Sequence, residues 1–143
     1  MKYSSGIIKP DGVERNLQDK IFDWFLDSGL VVLFQKTLML NQGDIAIVYK
    51  YCMGTNHYPE LEKFMMSGPV IFYVVKSNSD EAVDSLNRLV GSTDPKNSLK
   101  ETIRGTYGTS VARNVIHSTQ NKETFKTEIE HFLTKREILD MFI

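Results

Sequence analysis

The chain holds 143 residues with 41% hydrophobic and 24% charged side chains, a makeup suited to one globular domain that excludes disordered, collagen-like and disulfide-stapled classes. Lys plus Arg total 17 against 18 Asp plus Glu, so a net charge of −1 gives no basic excess to hold a nucleic-acid backbone. Cys52 is the only cysteine, no run reaches the roughly 18 apolar residues of a membrane span, and no secretory pattern opens the chain, so the expected setting is cytoplasmic, without membrane or nucleic-acid partners.

No repeat or long linker divides the chain, so residues 1–143 are read as a single domain. Residues 2–9 suit a strand stopped by Pro10 and the Asp11-Gly12 turn signal. From Glu14, the spacing of Leu17, Ile21, Trp24 and Phe25 predicts an amphipathic helix of about four turns that ends at Gly29. Residues 30–40, LVVLFQKTLML, read as the next strand. Asp44 is placed to cap a helix running to about Met53, and Pro59 suits the first turn of another that ends before Gly68-Pro69. VIFYVVK at 70–76 reads as a central strand, and 80–90 as a helix carrying Ala82, Val83, Leu86, Leu89 and Val90. Residues 91–113, broken by Gly91, Pro95, Gly105 and Gly108, lack periodicity and read as a long loop of the kind that carries function. NVIH at 114–117 is a short buried strand, and Asn121 caps a helix whose buried face is Phe125, Ile129, Phe132 and Leu133. The order predicts an α+β, ferredoxin-like βαββαβ sandwich: a four-stranded antiparallel sheet with an inserted helical hairpin and a long glycine/proline-containing loop.

Of the three histidines, His117 has the most suggestive context, at the end of an apolar strand and just before the polar run that opens a helix. An imidazole there is either a hydrogen-bonded core residue or a nucleophile and proton acceptor reachable from solvent. His131 sits among charges on a helix, and His57 in a turn before Tyr58-Pro59, so both read first as surface residues. Neither GxxxxGK[ST] nor a strand-borne GxGxxG occurs, and one cysteine with three dispersed histidines makes no metal cage, so any divalent ion is expected to arrive with a phosphate ligand. Lys9, Thr93, Arg104 and Asn114 are each able to donate to an oxyanion, with solvated loop groups as the alternative.

IIKPDGVERNL, MMSGPV, VGSTDP, TIRGTYG, ARNVIHST and TEIEHF, in this order and spacing, resemble nucleoside diphosphate kinases over essentially the whole chain. The most specific element is the NxxH of Asn114-Val115-Ile116-His117. The resemblance implies ping-pong transfer of a terminal phosphate from a nucleoside triphosphate to a nucleoside diphosphate, with His117 as the phosphorylated nucleophile. It further implies that Lys9 binds the transferring phosphate with Tyr49 nearby, that Thr93 and Arg104 hold the distal phosphates, and that Asn114 meets the ribose hydroxyls. Glu128 would orient the imidazole, with Thr119 where the family usually has serine, and Mg2+ would bind through the nucleotide phosphates. Homo-oligomerisation, as a hexamer, is part of the same expectation.

Other positions besides Thr119 depart from the family pattern. Asn87 stands where the family places a phosphate-binding arginine, and Arg88 follows one residue later, turned about 100° around the helix. Losing that donor is expected to lower turnover roughly 10²- to 10³-fold unless Arg88 replaces it, which motivates the alternative of a low-activity nucleotide-binding or scaffolding relative. His57 occupies the base-stacking position with less ring area than phenylalanine, and Lys100-Glu101 replaces a proline-glycine pair in the long loop.

Overall fold

The computed structural model describes residues 1–142. Four strands, β1 (Tyr3–Ile8), β2 (Leu30–Leu38), β3 (Val70–Ser77) and β4 (Ile116–Ser118), form one antiparallel sheet in the order β2-β3-β1-β4. Helices α1 (Pro10–Glu14) and α2 (Gln18–Asp27) lead from β1 to β2. Helix α3 (Gln42–Val48), a 3₁₀ turn at Lys50–Cys52 and α4 (Tyr58–Met65) form the insertion before β3. Helix α5 (Ala82–Val90), a second 3₁₀ turn at Pro95–Asn97 and α6 (Ile103–Tyr107) precede β4, and α7 (Lys122–Phe132) and α8 (Lys135–Phe142) follow it. This is the ferredoxin-like α+β arrangement expected from the element order. Among the described residues no helix is long and apolar enough to cross a membrane.

Strand β3 is apolar without a break from Val70 to Val75 because both of its faces are covered there. Val70, Phe72 and Val74 pack with Ile45 and Val48 of α3 and Phe125 and Ile129 of α7; Ile71, Tyr73 and Val75 pack with Ile21 and Phe25 of α2 and Leu86 and Val90 of α5. Burying each such large side chain contributes about 1.5–3 kcal/mol, which makes the two layers the main source of stability. Beside β3, β1 is small where it must be. A Cβ on Gly6 would lie 2.0 Å from the His117 carbonyl oxygen and 2.3 Å from the Tyr73 hydroxyl oxygen, so only glycine lets β4 approach this closely.

The structure departs from the predicted elements where local hydrogen bonding overrides periodicity. Pro10 opens α1 where a turn was expected, and Asn16 at φ 55° separates it from α2, so the expected helix starts at Gln18 and not at Glu14. Asp44 is not the cap of α3. Asn41 is: its side chain accepts from the Asp44 N–H at 2.8 Å, while the Asp44 carboxylate accepts from the Asn41 N–H at 3.0 Å. The helix stops at Val48 and tightens into the 3₁₀ turn, short of Met53. The long loop contains α6, capped by Thr102, whose hydroxyl oxygen accepts from the Gly105 N–H at 3.0 Å. Asn121 caps α7 as expected, and α8 adds a helix beyond those predicted, tied to β2 by Lys36 and Glu137 at 3.0 Å.

Candidate active site

His117 lies on β4 opposite Ile7 of β1, and strand alternation therefore turns its side chain toward the α3 and α7 face while Ile116 enters the opposite core. The residue is 6% exposed. Its Nε2 meets Glu128 Oε1 of α7 at 3.3 Å, and the Tyr49 ring lies 5.4 Å from the imidazole, centroid to centroid. Nδ1 has no hydrogen-bond partner among the described residues. With the proton on Nε2, donated to the carboxylate, Nδ1 carries the free lone pair.

The backbone leading to this histidine is held in a conformation it would not adopt alone. Val115, β-branched and fully buried, sits at φ 65°, a left-handed geometry that costs on the order of 1–3 kcal/mol. Its N–H donates to Asp11 Oδ2 at 3.1 Å and its carbonyl accepts from the Lys9 N–H at 2.8 Å. Arg104 fixes the next residue, donating to the Ile116 carbonyl through Nε at 3.2 Å and Nη2 at 2.6 Å and to the Gly91 carbonyl through Nη1 at 3.2 Å. The Tyr73 hydroxyl donates to the His117 carbonyl at 3.1 Å. The chain around the imidazole is thus anchored from β1, α1, α6 and β3.

A cleft of about 510 Å³ opens over this ring, lined by Lys9, Tyr49, His57, Thr93, Arg104 and Asn114 as well as His117. Lys9 is 3% exposed, with Nζ 5.7 Å from the centroid of the Tyr49 ring. Burial, reinforced by the neighbouring Arg104 charge, pushes its pKa down to about 7. Burial likewise lowers Arg104 and holds the Tyr49 hydroxyl protonated, well above the ordinary tyrosine range. Among the described residues neither Lys9 nor Arg104 forms an ion pair, although the Asp11 carboxylate lies close enough to Lys9 to favour its charged form. Asn114 donates through Nδ2 to the Thr93 carbonyl at 2.8 Å, and its buried Oδ1 has no partner. Such an arrangement sets positive charge beside the cleft for an anion and leaves one buried amide oxygen unsatisfied next to it.

Other expected residues lie elsewhere. Asn87 and Arg88 do not line the cleft; Arg88 is exposed on α5, and the Asn87 amide is engaged by residues 118 and 119. Thr119 is fully buried with its hydroxyl 3.0 Å from that of Ser4, and among the described residues it makes no hydrogen bond to Glu128. His131 is a surface residue as read from sequence, paired with Asp44 at 2.7 Å. The cleft also takes in Tyr51, Cys52, Glu60, Leu61, the 110–112 segment and Gln120, none of them singled out from sequence. For the 110–112 segment a signal existed: it lies at the end of the long loop, separated from Asn114 by Arg113 alone.

The nucleoside diphosphate kinase family model matches residues 3–138. A nucleoside diphosphate kinase of Campylobacter fetus is 38% identical over 138 residues, covering 96% of this chain and 99% of that protein. One from Sulfurisphaera tokodaii is 36% identical over 133 residues, covering 93% and 89%. The crystal structure of the enzyme of that name from Encephalitozoon cuniculi superposes with a TM-score of 0.89 at 28% identity, covering 96% of this chain and 92% of its own.

Proposed function

The chain belongs to the nucleoside diphosphate kinase family, and on that premise we propose that His117 carries a phosphoryl group from a nucleoside triphosphate to a nucleoside diphosphate within the cleft above β4. The observation that carries this reading is one imidazole with Nε2 engaged by Glu128 and Nδ1 free, beneath a cleft shared with Lys9 and Arg104, neither of them in an ion pair among the described residues. In the first half-reaction the Nδ1 lone pair attacks the terminal phosphorus and the bond to the bridging oxygen breaks. The nucleoside diphosphate leaves with that electron pair, and the imidazole becomes a phosphoramidate. The second half-reaction is the reverse with a different diphosphate.

Phosphoryl transfer asks the protein mainly for positioning and for stabilisation of charge on the phosphate oxygens. Lys9 and Arg104 supply the positive charge; Tyr49 and Thr93 line the same cleft, the Tyr49 hydroxyl donating to the Met65 sulfur at 3.9 Å. Glu128 accepts the Nε2 proton bond and so stabilises the ring as positive charge develops on it. The unpartnered Asn114 Oδ1 suits a ribose hydroxyl, and His57 and Leu61 offer apolar and aromatic surface to a base. Among the described residues no cluster of three or more His, Cys, Asp or Glu is placed to hold a metal ion. The donor set therefore fits Mg2+ entering with the substrate, bound through the nucleotide's own phosphates, where it offsets their charge.

This reading places the protein in the cytoplasm, where a lone buried thiol stays reduced, and as a homo-oligomer, a hexamer by family resemblance. The edge strand β2, with Val31 and Leu33 exposed, supports self-association. Initial-rate kinetics with both nucleotides varied test the mechanism: parallel double-reciprocal lines are expected of a covalent intermediate, and lines that converge would overturn it.

A further inference from the structure

Helix α5 packs its apolar face, Ala82, Leu86 and Val90, into the sheet, yet beside Leu86 it carries a polar residue whose hydrogen-bonding ends are both used. Asn87 Nδ2 donates to the Thr119 carbonyl at 3.1 Å, and Asn87 Oδ1 accepts from the Ser118 hydroxyl at 2.5 Å. The amide has one possible orientation, since a carbonyl oxygen cannot donate and Nδ2 must therefore face Thr119. Ser118 is 8% exposed and Thr119 fully buried, so these bonds form in a low-dielectric setting where leaving either group unpaired is costly.

The two residues gripped are those that directly follow His117. Strand β4 has only three residues and pairs with β1 alone, so ladder bonds on one side are all the sheet provides. From the β1 side the segment is pinned by the Thr119 N–H to the Ser5 carbonyl at 2.9 Å and by the Ser4 and Thr119 hydroxyls. Asn87 grips it from α5. Arg104 and Tyr73 hold the Ile116 and His117 carbonyls, so what Asn87 adds is the hold on the two residues after His117; without it that end of the strand keeps only its β1 bonds, and the imidazole loses alignment from that side.

We propose that Asn87 and Ser118 act together as positioning residues, fixing the end of β4 to α5 so that the His117 ring stays aligned with a phosphate held by Lys9 and Arg104. This rests on the phosphohistidine reading above. The pair contacts the polypeptide and not the nucleotide, so its loss is expected to act on the rate of transfer and not on affinity.

The test is the single-turnover rate of His117 phosphorylation by saturating MgATP, with MgATP affinity and thermal midpoint measured alongside. Asn87→Ala and Ser118→Ala should each slow the step roughly 10- to 100-fold, as expected of a small misplacement, and leave the dissociation constant within about twofold. The double variant should be no slower than the slower single, because both break one unit. Ser118→Thr, which keeps the hydroxyl, should restore most of the rate. Parent-level rates with lowered melting would make the pair merely structural and overturn the proposal, as would independent losses that multiply in the double variant or a loss confined to affinity. If Asn87→Ala fails to fold, Ser118→Ala against Ser118→Thr carries the comparison. A parent chain that forms no phosphohistidine would instead refute the proposed function on which the inference stands.

Discussion

Lys9 is costly to the fold and valuable to a bound phosphate. In the unfolded chain it keeps its proton to about pH 10.5, whereas in the folded protein burial and Arg104 bring the pKa down to about 7. Between those values the unfolded state binds more protons, so this group's contribution makes the protein more stable as pH rises from about 7 toward 10.5, and its penalty is greatest below 7. Replacing it with an apolar side chain of similar length removes the penalty: Lys9→Met should stabilise the fold by about 1–4 kcal/mol near pH 6 in chemical denaturation while abolishing nucleotide affinity. A destabilised variant, or one that still binds, would contradict the role. A bound phosphate favours the charged form, so nucleotide binding at pH 8 should take up a proton. Calorimetry in two buffers of different ionisation enthalpy reads this directly, and proton release or no exchange would contradict it. Glu128 makes a separate residue-scale case. Glu128→Ala leaves Nε2 without its acceptor, and kcat should fall roughly 10²-fold with KM little changed; a KM effect alone would place Glu128 at the nucleotide instead.

At the scale of elements, stability and chemistry meet in β1, β4 and α7. Gly6→Ala places a methyl group inside contact distance of the His117 carbonyl and the Tyr73 hydroxyl, so β1 and β4 must part. The expected result is a loss of about 2–3 kcal/mol in denaturant unfolding together with loss of turnover, and an unchanged melt would show that the strands can separate without cost. Asn121→Ala, by contrast, removes one half of the α7 capping box and should cost about 1 kcal/mol with activity nearly intact. This contrast reflects what the sequence reveals about its elements. The α7 cap and the β3 run were legible because an Asn before an apolar-periodic segment and a stretch of six apolar residues have local meanings. The assignment of the α3 cap to Asp44 failed because the reciprocal bonds of a capping box leave two candidates, and periodicity does not say which side chain reaches forward. Helix α6 was invisible for a related reason: a five-residue helix held by the Thr102 hydroxyl has no apolar repeat to display.

For the molecule as a whole, the family motifs contain the cleft-lining Lys9, Arg104, Asn114 and His117 and the Glu128 that meets the imidazole, which the fold brings together from the end of β1, from α6, from β4 and the residues before it, and from α7. They did not reveal where Asn87 would point, because a residue aligned with a phosphate-binding arginine is free to turn its shorter amide toward Ser118. Nor did they reveal Tyr73 or Asp11, whose bonds to the backbone of residues 115 and 117 depend on long-range packing. All of this supports one claim: phosphate passes through a covalent bond to His117. The most direct measurement is the intact mass of the chain after incubation with a nucleoside triphosphate alone, and again after adding a nucleoside diphosphate. The expected result is one acid-labile, base-stable phosphoryl group per chain, absent in His117→Ala and discharged by the diphosphate. A phosphoryl group that persists in His117→Ala, or one that the diphosphate fails to remove, would contradict it.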